Sequence, residues 1–191
     1  MNSFYNQEEL EKLGLKCFGE NVKISRKCSI YSPEKIVIGN NVRIDDFCIL
    51  SGRIELGDYI HIAAYSAIYG GDKGVFVEKF SNISSMVSIY AISDDYTGMS
   101  MTNPMIPEKL KNVDSRRVII GKHVIIGTHS VVLPGVYLNE GSAFGAFSFI
   151  NHDSESWSIN AGIPFVKIKD RERHILELEK VIANKEDEVY V

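Results

Sequence analysis

Apolar residues recur every six positions along most of the chain. One long run extends from Ile38 to Ile68 and another from Ile120 to Ile150, and two shorter runs complete the pattern. The members are Phe18, Ile24, Ile30; Ile38, Ile44, Leu50, Leu56, Ile62, Ile68; Val77, Ile83, Ile89; and Ile120, Ile126, Val132, Leu138, Phe144, Ile150. Four positions after most of them comes a small or short aliphatic residue, as at Cys48 and Ser130.

A period of six matches neither the 3.6 of a helix nor the simple alternation of a single strand. It suits short strands joined by tight turns, with the large and the small residue both pointing inward. Three units would close a triangular coil of about 18 residues, and strand hydrogen bonds would stack the coils at roughly 4.8 Å. The pattern therefore predicts an all-β solenoid of hexapeptide repeats in which each coil packs on its neighbours. A β-sandwich, the alternative, gives no reason for a six-residue register that survives gaps.

Two details of the repeat carry their own predictions. Gly, Asp or another small residue often follows the large apolar one, as at Gly39 and Gly127, and we expect these positions to take turn conformations that cost other residues energy. Cys28 and Cys48 fall on small inward positions, so we expect them to fill the core.

The repeat stops after Ile89 and resumes at Ile120. Residues 90–117 are therefore predicted to protrude as one long loop, because a solenoid tolerates an insertion between coils. Long loops in compact proteins are usually functional. We therefore expect this loop to carry functional residues.

The two ends of the chain are predicted to carry short helices. Residues 1–17 form an N-terminal cap, with a helix that starts at Asn6 and stops at Gly14. Residues 18–155 form the β-helix domain. Residues 156–191 form a C-terminal segment and a charged amphipathic helix, whose apolar positions are Ile175, Leu176, Leu178 and Ile182.

The composition of the chain mainly excludes certain classes of protein. The 191 residues carry a formal net charge of -4, which argues against a nucleic-acid binder with its basic stripe. The first residues do not read as a signal peptide, and no apolar stretch reaches the roughly 18 residues of a membrane span. Three cysteines without metal-ligand spacing indicate free thiols in a reducing compartment. We therefore expect a cytoplasmic protein with no nucleic-acid or membrane partner.

The repeat resembles that of the hexapeptide-repeat acyltransferases. VIIGKHVIIGTHSVVLPGV (118–136) is similar to the stretch after the long loop in galactoside, maltose and xenobiotic acetyltransferases, and SWSINAGIPFVKIKDR (156–171) is similar to their terminal segment. Phe165 and Val166 depart from that segment's usual Ala and Lys. The resemblance implies a left-handed parallel β-helix, a homotrimer with active sites between neighbours, and acetyl-CoA as co-substrate, with no metal.

The same resemblance implies which residues meet CoA. Small residues on successive coils would let the pantetheine arm approach the backbone, and two late basic residues would meet its phosphates. These are Gly127, Thr128, Gly145, Ala146, Ala161, Gly162, Lys169 and Arg171.

RIDDFCIL, YIHIAAYSAI and SIYAISDDYTGMSMTNP resemble segments of the enzymes that acylate nucleotide-linked amino-dideoxysugars, such as dTDP-4-amino-4,6-dideoxyglucose, for O-antigen and other surface polysaccharides. The function implied is an acetyl-CoA-dependent N-acetyltransferase of that type. Polar and aromatic corner residues would bind the nucleotide sugar, the aromatic ones by stacking on its base. The candidates are Asp45, Asp46, Tyr65, Asp72, Tyr90 and Asn103.

Acyl transfer needs a group that orients the nucleophile and takes its proton. The galactoside and xenobiotic enzymes use a histidine near the loop, but this chain has no histidine between His61 and His123. Asp94 or Asp95 could replace it, since adjacent carboxylates can raise one pKa. The other candidate is His61, which we expect to face outward at a coil corner.

Two alternatives stay open at this point. One is a sugar O-acetyltransferase, which would act on a hydroxyl. The other is a β-helix that serves as a scaffold or as a metal-dependent hydratase, for which His123 and His129 would be the histidines available.

Overall fold

The chain folds as a left-handed parallel β-helix of about seven coils, as a computed structural model shows. The structure describes residues 3–189, and their side chains as far as residue 182. The helices are α1 (Gln7–Lys12) and α2 (Ile175–Val189). The strands are β1 (Cys17–Phe18), β2 (Lys23–Ile24), β3 (Ser29–Tyr31), β4 (Ile36–Ile38), β5 (Arg43–Ile44), β6 (Ile49–Leu56), β7 (His61–Ile62), β8 (Ala67–Val77), β9 (Asn82–Ile83), β10 (Ser88–Tyr90), β11 (Ile92–Ser93), β12 (Asp114–Ser115), β13 (Val118–Ile120), β14 (Ile125–Ile126), β15 (Val131–Val132), β16 (Tyr137–Leu138), β17 (Ala143–Phe144), β18 (Phe149–Ile150), β19 (Ser158–Gly162) and β20 (Phe165–Asp170).

The strands stack into three flat faces. The first face contains β2, β5, β7, β9, β14, β17 and β19 in parallel. The second contains β3, the start of β6, the start of β8, β10, β15 and β18. The third contains β1, β4, the ends of β6 and β8, β13 and β16. Because β6 and β8 each bend across a corner, they belong to two faces.

The residues of the six-residue repeat form the core. Ile44, Ile62, Ile83 and Ile126 stack on the first face, and each is completely buried. The prediction for the two cysteines is confirmed: Cys28 and Cys48 are buried, and burial raises the pKa of their thiols to about 12 and about 11. The repeat therefore determines which side chains face inward.

We expected the glycines that follow the buried repeat residues to take turn conformations, and this expectation is wrong. Gly127 follows its apolar partner as expected, but it is not among the residues of positive φ. Left-handed backbone occurs two residues later, at His129 (φ 60°) and its neighbour Phe147 (φ 59°), whose rings stack at 4.8 Å. Glycine is required at 127 because a Cβ there would lie 2.5 Å from the backbone nitrogen of Ala146. The coils approach too closely for a side chain.

The predicted end helices are confirmed. Helix α1 begins at a capping box, since the Asn6 side chain accepts from the Glu9 amide at 3.0 Å and the Glu9 carboxylate accepts from the Asn6 amide at 2.8 Å. The chain leaves α1 through Gly14 at φ +75°. No helix in the described part of the chain is long and apolar enough to cross a membrane.

The long loop leaves the second face after β10 and returns to the third face at β13. It has structure of its own, because β11 and β12 pair in antiparallel fashion at its neck and Met101 bridges Lys111 further out. A short 3₁₀ turn lies at Glu108–Leu110. The loop base is therefore held at the corner between the second and third faces.

Candidate active site

Small residues form a column along the corner between the first and second faces, here called the glycine corner. At every coil but the last, the residue after the buried one donates its amide to the next coil, as Ser84 does to the Ile126 carbonyl. The column consists of Asp45, Ala63, Ser84, Gly127, Gly145 and Ala161. The backbone amides of the following residues, Thr128 and Ala146, make no hydrogen bond to the described residues.

Two predicted substrate residues, Asp46 and Tyr65, lie at the same corner on earlier coils. The Asp46 carboxylate accepts from Lys27 Nζ at 2.8 Å and from the Ser25 hydroxyl, and the Lys27 hydrogen bond lowers its pKa below the usual value. Tyr65 is half exposed and stacks on Phe47 with ring centroids 4.9 Å apart.

His61 faces outward as expected, but from the flat first face and not from a corner. Its Nε2 lies 2.8 Å from Asp45 Oδ2 and its Nδ1 lies 3.1 Å from Asn82 Oδ1. Burial raises the pKa of Asp45, but hydrogen bonds from His61 and Arg43 outweigh it and hold this pKa below the usual value. Both ring nitrogens of His61 face acceptor oxygens of the protein itself, so in this arrangement neither is directed at a substrate.

Three other predicted residues come together under the loop. Asp94, Tyr90 and Asn103 line one cavity of 670 Å³, here called the tyrosine cavity. The sequence analysis missed two more of its wall residues, Tyr69 and Lys111. Tyr69 stacks on Tyr90 with centroids 5.0 Å apart. The repeat could have indicated Tyr69, because Tyr69 and Tyr90 each directly follow a buried residue of the repeat.

Lys111 brings a cation to the tyrosine cavity. Its side chain is only 8% exposed, while its ion-pair partner Glu108, 2.6 Å away, is 86% exposed. The cavity therefore combines aromatic rings, an amide and an ammonium group, which suits a nucleoside phosphate.

A second cavity of 640 Å³ lies on the other side of Asp94 and is here called the aliphatic cavity. Leu133, Pro134 and Phe149 form its wall on the coils, and the base of the loop forms the opposite wall. Asp94 lines both cavities and so stands where they meet.

The two adjacent aspartates differ sharply. The Asp95 carboxylate accepts from the Thr97 amide at 2.8 Å, the Thr97 hydroxyl at 2.7 Å and the Ser100 hydroxyl at 2.8 Å. These hydrogen bonds lower its pKa to about 2, so it organises the loop and is a weak base. The Asp94 carboxylate is exposed and has no hydrogen-bond or ion-pair partner among the described residues. Of the two, Asp94 is free to meet a substrate.

The remaining candidates lie apart from Asp94. Asp72 pairs with Lys35 at 3.0 Å in a charged cavity beside Arg53. Lys169 is exposed on β20. Arg171 is half buried and donates to the carbonyls of His123 at 2.8 Å and Gly141 at 3.0 Å, and burial lowers its pKa. Its described contacts are therefore with the backbone of the coils.

The two histidines considered for a metal occupy different corners. His123 is buried, stacks on Phe80 and contacts Glu179 Oε2 at 2.9 Å, whereas His129 is exposed at the glycine corner. Among the residues whose side chains are described, no group of three or more His, Cys, Asp or Glu is placed to hold a metal ion.

One chain therefore carries two half-sites at opposite edges of its second face. The glycine corner offers backbone amides, and the loop offers Asp94 with a cavity on each side. Together with the coil architecture, these features define a left-handed β-helix acyltransferase.

Comparison with known proteins narrows this class. No family model matches the chain. A dTDP-4-amino-4,6-dideoxy-D-glucose acyltransferase from Escherichia coli is 50% identical over 182 residues, 94% of each chain. AntD, an N-acyltransferase from Bacillus cereus, was solved with dTDP and 3-hydroxybutyryl-CoA; it is 51% identical, with a TM-score of 0.95 over 98% of this chain and 100% of AntD. A S84A variant of AntD with dTDP-4-amino-4,6-dideoxyglucose and coenzyme A gives 51% and 0.94 over 97% and 100%. The chain belongs to the family of dTDP-4-amino-4,6-dideoxyglucose acyltransferases, which use CoA thioesters.

Proposed function

We propose that this protein transfers the acyl group of a CoA thioester, acetyl-CoA in the first instance, to the amine of a nucleotide-linked amino-dideoxysugar such as dTDP-4-amino-4,6-dideoxyglucose. The product would serve the synthesis of O-antigen or another surface polysaccharide. The observation that carries this proposal is the likeness to AntD over nearly the whole chain, because AntD binds both that amino sugar and coenzyme A.

The tyrosine cavity would bind the nucleotide sugar. In the tyrosine cavity, Tyr69 and Tyr90 would stack on the thymine base, Asn103 would contact the sugar, and Lys111 would meet the diphosphate. The sugar amine would then reach Asp94 at the end of the cavity. Asp46, Tyr65 and Asp72 lie outside this cavity, so a sugar contact from them requires a neighbouring subunit.

Under this proposal Asp94 orients the amine and takes its proton. The amine nitrogen attacks the thioester carbonyl carbon, the N–C bond forms, the C–S bond breaks, and the proton ends on the CoA sulfur. AntD structures exist for variants of an aspartate numbered 94 and a serine numbered 84 in that protein. This chain has Asp94 and Ser84 at the same numbers. Ser84, which the sequence analysis missed, lies in the glycine corner beside Gly127.

The glycine corner would hold the co-substrate. The backbone amides of Thr128 and Ala146 would bind the pantetheine arm, with Gly127, Gly145, Ala161 and Gly162 leaving space for it. Lys169 would meet the phosphates, since it is exposed and makes no ion pair with the described residues. Arg171 would contribute by fixing this end of the protein, because its guanidinium already donates to backbone carbonyls.

The position of the half-sites supports a homotrimer. Asp94 and Gly145 lie at opposite edges of the second face, so a neighbouring subunit would have to bring a glycine corner to each loop. The free thiols and the CoA co-substrate support a cytoplasmic location.

The subunit arrangement can be tested by mixing two inactive variants, Asp94→Ala and Gly145→Trp. If each site takes its loop from one subunit and its corner from another, random mixing restores about a quarter of the sites. Refolding each variant alone is the control. No recovery from a mixture that forms mixed oligomers would contradict a shared site.

The activity is tested by incubating the protein with acetyl-CoA and dTDP-4-amino-4,6-dideoxyglucose and following free thiol. We expect thiol release that depends on the amine. The matched acceptor is the same nucleotide sugar with a hydroxyl in place of the amine. Release with the hydroxyl acceptor alone would favour the O-acetyltransferase alternative, and release with neither acceptor would contradict the proposal.

A further inference from the structure

The neck of the long loop is a short ladder that stops just before Asp94. Strands β11 and β12 pair Ser93 with Asp114, and the Arg116 amide donates to the Ala91 carbonyl at 3.0 Å. Asp94 is the first residue beyond the paired residues of β11. The position of its carboxylate therefore depends on how firmly the neck is held against the coils.

The Arg116 side chain extends from the neck to the coils. Its guanidinium donates to both carboxylate oxygens of Asp114, each at 2.7 Å. It also lies against Gly135, where a Cβ would be 2.7 Å from Arg116 Nη1. Gly135 has a φ of +84° and follows β15, the strand that stacks on β10. The missing side chain at 135 therefore leaves space for the guanidinium of the neck.

Arg116 also balances the charge of the aliphatic cavity. The carboxylates of Asp94, Asp95 and Asp114 line this cavity, and Arg116 is the one lysine or arginine among the described residues that do so. The Arg116 hydrogen bond holds the pKa of Asp114 below its usual range. Without this cation three carboxylates would line one cavity, and their repulsion would act on the neck.

The ion pair itself contributes little to the stability of the fold. The side chains of Arg116 and Asp114 are 60% and 42% exposed, and exposed ion pairs are weak because water screens them. A substitution of Arg116 should therefore leave the solenoid intact. Its effect should appear in the geometry at Asp94, where a small displacement of a reacting group has a large effect on rate.

We propose that Arg116 is a positioning residue for acyl transfer, which joins the neck of the loop to the coil at Gly135 and so fixes the Asp94 carboxylate between the two cavities. This inference rests on the proposed function and deepens it, because it names a residue that acts on the amine through Asp94. Arg116 itself needs no contact with either substrate for this role.

The first test replaces Arg116 with methionine, which keeps much of the side-chain bulk and removes the charge. Arg116→Met should lower kcat by about tenfold or more, with KM for both substrates changed by less than about threefold. Arg116→Lys, which retains a cation for Asp114, should recover part of the loss. A wild-type kcat in Arg116→Met, or no recovery in Arg116→Lys, would overturn the inference.

The matched control for this test is Arg117→Met. Arg117 is the next residue along the chain, but its guanidinium lies over the Phe76 ring, 4.8 Å from the centroid, and it lines neither cavity. Its substitution should leave kcat unchanged. A loss equal to that of Arg116→Met would assign the effect to the general charge of this region, against the proposal.

The second test asks whether Arg116 acts through Asp94. In protein that already carries Asp94→Asn, Arg116→Met should change kcat by less than about twofold, because the carboxylate that it positions is absent. The same fold-loss in both backgrounds would show that Arg116 acts independently of Asp94. Urea unfolding of each variant confirms that the compared proteins are folded.

The third test reaches the guanidinium from the coil. Gly135→Ala places a Cβ where Arg116 Nη1 lies, so it should lower kcat as Arg116→Met does, and the two losses together should not add. Gly14→Ala is the control, because Gly14 has a similar φ of +75° but its Cβ would meet nothing nearer than 3.8 Å. Both changes strain the backbone, and only the one at 135 should alter kcat. A wild-type kcat in Gly135→Ala would contradict the proposed contact.

Failure of this inference is distinguishable from failure of the proposed function. Thiol release that depends on the amine, at the same kcat in wild-type protein and Arg116→Met, contradicts only the role of Arg116. No thiol release by wild-type protein with acetyl-CoA and the amino sugar contradicts the proposed function itself.

Discussion

The glycine corner and the loop of residues 91–117 are built in opposite ways. At the corner, strand registers repeat coil after coil, and the backbones approach so closely that Gly127 has no space for a Cβ. In the loop, side chains supply the order, as Asp95 does by accepting three hydrogen bonds from Thr97 and Ser100. The corner therefore offers fixed backbone donors, and the loop offers a free carboxylate at Asp94 on a separately held segment. Acyl transfer uses both, one for the donor and one for the nucleophile.

The largest effect is expected from adding a side chain at the corner. In Gly127→Val the new Cβ would lie 2.5 Å from the Ala146 nitrogen and 2.6 Å from the Gly145 carbonyl carbon, atoms of the backbone that cannot move alone. We expect a loss of about 3 kcal/mol or more in the free energy of unfolding, measured with urea. Gly145→Ala is the control, because its Cβ would lie 3.3 Å from the Ala161 methyl and 3.7 Å from the Asn160 carbonyl oxygen, with nothing nearer. Similar losses for both would contradict the close packing described at Gly127.

The second-largest effect is expected on the kinetic constants, and it distinguishes the two aspartates of the loop. Asp94→Asn should lower kcat by about 100-fold, since a proton acceptor is lost at the reacting amine. The loss should shrink as pH rises, because more of the amine is then already neutral. Asp95→Asn should mainly raise KM for the nucleotide sugar by loosening the loop. Steady-state kinetics from pH 6 to pH 9 checks both variants, and a larger kcat loss for Asp95→Asn would reverse the assignment.

A smaller effect is expected on CoA affinity and stability, and it distinguishes the role of Lys169 from that of Arg171. Lys169→Ala should raise the Kd for CoA about threefold to tenfold, through loss of an exposed cation, with stability unchanged. Arg171→Met should leave CoA affinity nearly unaffected but lower the free energy of unfolding by about 1–3 kcal/mol, because the His123 and Gly141 carbonyls lose their donor. Calorimetry and thermal unfolding measure the two quantities. Weaker CoA binding by Arg171→Met at unchanged stability would show instead that Arg171 contacts the CoA phosphates.

The smallest effect concerns pH and the loop. The folded pKa of Asp95 is about 2, below its ordinary value of 3.8, so its hydrogen bonds stabilise the loop at neutral pH. That contribution is present above pH 3.8 and is lost as pH falls toward 2. Amide exchange at Thr97 should therefore stay protected at pH 4 and become faster, relative to its intrinsic rate, toward pH 2. Asp95→Asn, which removes the titration, is the control, and a loss of protection that begins near pH 5 in both proteins would have another cause.

The sequence determined the solenoid, because the six-residue repeat states which side chains face inward and a stacked coil needs little else. It also marked Asp94, Tyr90 and Asn103, which the loop brings to one cavity. It did not predict the left-handed corners at His129 and Phe147, since there stacking of rings on neighbouring coils accompanies a backbone conformation that residue type alone disfavours.

The tertiary structure decided which of two adjacent aspartates is free. Asp94 and Asp95 are identical in sequence terms, and only the turn through Thr97 and Ser100 occupies one carboxylate and leaves the other exposed. The tertiary structure likewise directs the Arg171 guanidinium to backbone carbonyls. It also places Tyr69 and Lys111 in the cavity with Tyr90. The physical reason is the same in each case. A repeat fixes burial coil by coil, whereas the partner of a polar side chain depends on which distant atoms the fold brings within hydrogen-bond reach.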